Sequence, residues 1–275
     1  MNGRLASVGL ACGSFVLCLA AAGPQTGKTF RVPLRTRVEA FKGSGAWEEV
    51  HLQKDIDPKK AAVIICDMWD HHWCAGAERR VGLMAPKMAP LLERARARGI
   101  VVIHAPSETM GFYKDLPQRK AMLSLTRAAP EASVEIADPP LPIDDKEGGC
   151  DTGQVAGKPY PWTRQIAAIP VAPMDYISDN GLEIYSLLQQ RGIDTLFIMG
   201  VHTNMCVLNR SFAIKQMTRW GKRCILVRDL TDAMYDPAKR PFVSHDEGTE
   251  MVIQHIEKHW CPTVLSSDLL AALAK

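Results

Sequence analysis

Short apolar runs alternating with helical segments constrain this chain most. Ala61 to Cys66 is continuously apolar and ends in Asp67, the look of a parallel strand covered on both faces. Pro86 to Arg98 follows with helical spacing at Met88, Leu91, Leu92 and Ala95, and Gly99 is a helix stop. Ile100 to His104 reads as the next strand. Strand, helix, strand in that order implies a right-handed crossover and a parallel sheet. The alternation recurs: a helix over 182–191 stopped by Gly192, a strand over 194–199, a helix over 207–220, a strand over 224–228 and a helix over 244–259. A short strand at 263–265 and a terminal helix follow, while 167–171 and 29–42 read as a further short strand and an edge strand. The expected fold is α/β, a three-layer α/β/α open sheet, mainly parallel and Rossmann-like. Ligands in such sheets bind beyond the carboxyl ends of the strands, where Asp67, His104 and Cys206 fall.

With 275 residues, 47% of them hydrophobic, the chain can build one large core. Residues 1–23 have the three parts of a secretory signal peptide: Arg4, a small-residue apolar stretch, and Ala20-Ala21-Ala22 as a cleavage site. The expected localisation is therefore exported, periplasmic or extracellular. Residues 24–60 form an N-terminal extension, and 61–275 the main domain. Residues 105–165 interrupt that domain with a proline-rich insertion carrying one helix around 116–127. A net charge of +3 and no basic stripe give no reason to expect nucleic acid, or a membrane once the leader is gone. The expected partner is a small-molecule substrate, and a homo-oligomer stays open. No C-x-x-C pair occurs. Cys66 and Cys224 read as buried thiols, and Cys74 and Cys150 fall in loops where a disulfide is open.

The chemistry gathers at Gly200-Val201-His202-Thr203-Asn204-Met205-Cys206, between the 194–199 strand and the helix after it. Unpaired N–H groups at a helix start favour a thiolate, the form in which cysteine attacks. A strand ending in Asp, a second strand, and G-V-x-T-x-x-C at a strand–helix junction together resemble the isochorismatase-like cysteine hydrolases, which include nicotinamidases and other small amidases. The resemblance spans roughly 61–265. It implies Cys206 as nucleophile, Asp67 as proton acceptor, a cis peptide before His202, and an oxyanion hole from the His202 and Cys206 amides. It also implies a lysine before the D-x-x-S segment, matched here by Asp175 to Ser178, yet 166–174 holds no lysine. Lys158 and Arg164 are the nearest basic residues in sequence, and Lys158 is taken as the third catalytic candidate.

Trp69, Asp70, His71, Trp73, His104 and Arg164 are expected to line the substrate pocket, the tryptophans by stacking on a flat substrate. No metal or other cofactor is expected; Asp70, His71, His72 and His104 are the residues that would bind zinc if one were held. The expected activity is hydrolysis of a small amide or related C–N bond through a cysteine acyl-enzyme. The alternative, raised by the missing lysine, is a non-catalytic small-molecule-binding protein on the same fold.

Overall fold

The computed structural model describes residues 29–275, so the expected signal peptide over 1–23 lies outside the described residues. The strands are β1 (Phe30–Glu39), β2 (Trp47–Ile56), β3 (Ala61–Cys66), β4 (Val101–Ala105), β5 (Tyr176–Ile177), β6 (Thr195–Val201), β7 (Arg223–Asp232) and β8 (Thr263–Val264). The helices are α1 (Ala75–Ala97), α2 (Met110–Tyr113), α3 (Pro117–Leu123), α4 (Gly181–Gln190), α5 (Cys206–Asn209), α6 (Ile214–Arg219), α7 (His245–His259) and α8 (Ser266–Ala274). One eight-stranded sheet runs β2-β1-β8-β7-β6-β3-β4-β5. From β8 to β5 every pairing is parallel, and the β1–β2 hairpin is added antiparallel at one edge.

Alternate residues of each central strand feed two cores, because successive side chains point to opposite faces. Val63, Ile65, Phe197 and Ile225 pack with Met88 and Leu92 of α1 and Leu269 of α8. Ile64, Ile103, Ile198 and Leu226 pack with α4, α6 and α7 through Ile184, Met217 and Ile256. This is the three-layer α/β/α arrangement that the alternation of runs predicts.

Five local expectations differ. Residues 29–42 form no edge: β1 is an inner strand and β2, mostly exposed and charged, is the edge. Residues 167–171 are a turn, and the short strand is β5 instead. The first helix begins at Ala75 and runs through Pro86 and Pro90, although each proline forgoes a backbone hydrogen bond. The expected helix over 207–220 is two pieces, α5 and α6, parted where Arg210 turns extended at φ −60° and ψ 151°. The insertion helix is two short ones, α2 and α3.

Candidate active site

Strands β3, β4 and β6 end side by side, and their carboxyl ends deliver the site. Asp67, just past β3, is buried and held at φ +48°, a conformation costly for a non-glycine residue and common at functional sites. At the matching end of β6, Gly200 has φ +115°, and a Cβ there would lie 2.0 Å from the Cys66 carbonyl oxygen. Only glycine lets the two backbones approach this closely. The register of β6 on β7 shifts between Ile198 and Gly200, and the chain then passes through a cis Val201–His202 peptide into Cys206, first residue of α5.

These turns bring three side chains together. The Asp67 carboxylate accepts the Ser107 amide N–H at 2.7 Å, Arg210 Nε at 2.9 Å, and the Cys206 thiol. The His202 amide N–H reaches the Cys206 sulfur. Burial pushes the Asp67 carboxyl above its usual range, and the Arg210 guanidinium only partly offsets this. Burial, and then the Asp67 charge, push the Cys206 thiol upward too. The resting pair is therefore a thiol hydrogen-bonded to a carboxylate, not the thiolate expected from a helix start. Helix α5 has four residues, too few to outweigh burial and a neighbouring anion. A carboxylate with a raised pKa is a stronger base than an ordinary one, so Asp67 is suited to receive that proton.

The cation beside Asp67 is Arg210, not Lys158 or Arg164. Lys158 is exposed and sits over the Tyr160 ring at 5.7 Å. Arg164 sits over the Phe112 ring and lies 3.8 Å from Asp70. Both are carried away because the segment around them follows Asp70, which accepts the Thr163 and Arg164 amides at 2.9 and 3.3 Å. Ala172, where the resemblance places a lysine, gives its amide to Asp175. Arg210 has a sequence signal: it stands four residues after Cys206, one helical turn away on the same face. The break after α5 releases it towards Asp67.

The expected pocket residues divide. Trp69 is buried beside the site, its indole N–H donating to the Ser107 carbonyl at 3.0 Å. Its ring stacks on Trp162 at 4.2 Å, and Trp162 on Tyr160 at 4.2 Å, both contributed by the insertion. His72 lies 5.6 Å from Trp162 and 4.8 Å from His202, both measured between ring centroids. Burial lowers His72 to about 4 and His202 to about 3, so both are neutral at pH 7. Trp73 flanks His72 at 5.1 Å. His71, Asp70 and His104 are not pocket groups by geometry. His71 is exposed, 3.7 Å from Glu78; Asp70 anchors the insertion; His104 is buried with Nδ1 on Gln165 and Nε2 on Asp175, so both nitrogens are spent. Sequence reasoning left Arg210, Ser107 and Trp162 out of the site.

The residues considered for zinc do not converge. Among the described residues the grouping of ligand types is Cys74, Cys150 and Asp151, and the two sulfurs there are joined as a disulfide with Cα atoms 5.6 Å apart. A cavity of about 430 Å³ reaches Cys206, lined also by Asn204, Met205, Asn209, Arg210 and Lys215.

No protein-family model and no curated protein matches the sequence. Solved structures do. A cysteine hydrolase from Pseudomonas syringae pv. phaseolicola 1448A is similar at a TM-score of 0.52 and 19% identity, over 80% of this chain and 94% of that one. The fold is isochorismatase-like. An isochorismatase family protein from Burkholderia thailandensis is also similar, at a TM-score of 0.46 and 19% identity, over 80% of this chain and 98% of that one. The parallel strands from β3 to β8 are this isochorismatase-like frame. The likeness is one of architecture.

Proposed function

We propose that the protein is a hydrolase that cleaves a small amide or related C–N bond through a thioester on Cys206. The observation that carries this reading is the contact of three side chains, Cys206, Asp67 and Arg210, at the carboxyl edge of the sheet. Attack on an amide needs a strong nucleophile, a base, an oxyanion site and a proton for the leaving nitrogen. Cys206 Sγ bonds to the carbonyl carbon while its proton passes to Asp67. The carbonyl oxygen, now an anion, takes hydrogen bonds from the His202 and Cys206 amides. The C–N bond breaks as Asp67 returns the proton to the departing nitrogen. Water, deprotonated by Asp67, then opens the thioester, and the sulfur leaves as the thiol with that proton. Arg210 holds Asp67 ionised in a buried place and keeps its own charge throughout, since a guanidinium does not exchange protons at these pH values.

The signal-peptide pattern expected over residues 1–23 and the Cys74–Cys150 disulfide support the reading of an exported protein, because disulfides persist in oxidising compartments. Release of ammonia or amine from a panel of small amides tests the function, with intact mass measured under acid quench to catch the thioester. Cys206→Ala is expected to abolish both. Turnover that survives in Cys206→Ala overturns the mechanism, and an inert sulfur across the panel returns the site to the non-catalytic binding reading.

A further inference from the structure

His202 carries a group that the hydrolytic steps do not use. Its backbone N–H serves the sulfur at rest and the oxyanion in the proposed reaction, but the residue is 2% exposed, and Nε2 has no hydrogen-bond partner among the described residues. A buried polar atom left unpaired is uncommon in folded proteins and calls for a reason. The ring begins three bonds from the amide nitrogen whose N–H touches Cys206, which keeps it in the neighbourhood of the sulfur. Around it are the rings of His72 at 4.8 Å, edge to face, and Trp69 at 6.5 Å, and the charges of Asp232 and Arg80 also bear on it. His72 accepts the Cys74 amide on Nδ1 at 3.0 Å, which puts its own hydrogen on Nε2. An apolar wall with a few polar atoms is the usual composition of a small-molecule site.

We propose that this wall is the acyl-group subsite and that His202 Nε2 pairs there with a hydroxyl on a flat acyl group. A hydroxyl both donates and accepts, so it satisfies either tautomer of the neutral imidazole. The assignment rests on the hydrolase reading for the direction of the substrate: acyl group towards His202, leaving nitrogen towards Asp67 and the cavity at Arg210. The insertion is pinned from Thr163 to Ile166 by Asp70 and the Met68 carbonyl, whereas 152–159 is exposed, so Trp162 stands at the free side of the anchor.

Binding tests this without turnover. In the Cys206→Ala background, quenching of tryptophan fluorescence is titrated with benzamide and with its 2-, 3- and 4-hydroxy derivatives. At least one hydroxy isomer is expected to bind tenfold or more tighter than benzamide. That preference is expected to fall below about twofold in His202→Leu and to return in part in His202→Gln, whose amide replaces the Nε2 hydrogen bond. Equal binding of benzamide and all three hydroxy isomers overturns the subsite, and so does a preference that persists in His202→Leu. Should His202→Leu fail to fold by circular dichroism, His202→Phe, which keeps a flat ring and removes Nε2, takes its place, and a preference that persists there likewise overturns it. Failure of the hydrolase reading is separate: it shows as no ammonia release with Cys206 intact.

Discussion

Arg210 Nε donates to Asp67 Oδ2 at 2.9 Å across 143 positions of sequence, and that pair sets the charge on the buried carboxylate. Removing the guanidinium leaves Asp67 buried without a countercharge, a change that costs about 3–5 kcal/mol in comparable buried pairs. Asp67 would then hold a proton at neutral pH and lose its function as base. Arg210→Ala is expected to lower kcat/KM at pH 7 by at least about a hundredfold and to move the acid limb of the pH profile upward. Arg210→Lys keeps a charge and is expected to retain more activity than Arg210→Ala. Steady-state profiles of the three proteins check both points.

The raised pKa of Cys206 has a sign that alkylation can read. A thiol shifted above its ordinary value of 9.0 stays protonated at pH 7, so the free sulfur is slow towards iodoacetamide. The rate in the wild type is expected to climb without a plateau up to pH 9. In Asp67→Asn, which removes the neighbouring anion, the rise is expected to begin at lower pH. A plateau below pH 8 in the wild type would contradict the thiol–carboxylate resting pair.

Gly200→Ala places a methyl group 2.0 Å from the Cys66 carbonyl at a φ of +115°. Neither backbone can yield without unpairing β3 from β6. The expected loss exceeds about 3 kcal/mol, read as a drop in the urea midpoint.

The Cys74–Cys150 disulfide closes a separation of 76 residues and ties the start of α1 to the insertion. Such a crosslink typically contributes about 2–4 kcal/mol. Reduction is expected to lower the thermal midpoint, and the double variant Cys74→Ser with Cys150→Ser is expected to show no response to reductant.

Glu183 receives Arg119, Arg127 and the Ser178 hydroxyl, and these hold its carboxyl at about 2 against the opposing effect of burial. A folded-state pKa below the unfolded 4.5 stabilises the fold above that value and loses effect as pH falls from about 4.5 towards 2. Glu183→Gln is expected to cost no more than about 3 kcal/mol at pH 7. Its stability should also vary less than the wild type's between pH 5 and pH 2.5 in thermal melts.

The central strands were legible because burial on both faces makes them continuous apolar runs, with Ala61 to Cys66 the clearest. The β1–β2 hairpin was half hidden: β2 is solvated, and its charged residues carry no apolar period. The gap between α5 and α6 left no mark either, since Phe212, Ile214 and Met217 stay buried and keep a helical spacing across the break. Cys206 and Asp67 stood out as candidates from their strand ends, and the structure brings the two side chains into contact. Arg210 was passed over because the search for a cation followed the lysine position upstream of Asp175, while the charge sits one turn beyond the nucleophile. Trp162 and Ser107 belong to loops whose course only tertiary contacts decide, such as those of Asp70 with Thr163 and Arg164.

The attacking atom and its countercharge share one short turn, while the base belongs to the sheet. A shift of that turn carries sulfur and guanidinium together, so their mutual spacing is insensitive to substrate shape. The distance to the carboxylate is then governed by the extended link at Arg210 and the segment before Cys206. Substitutions that reshape this link, such as at Ser211, which lies against Gly181, offer a way to retune proton transfer without touching any of the three reacting side chains.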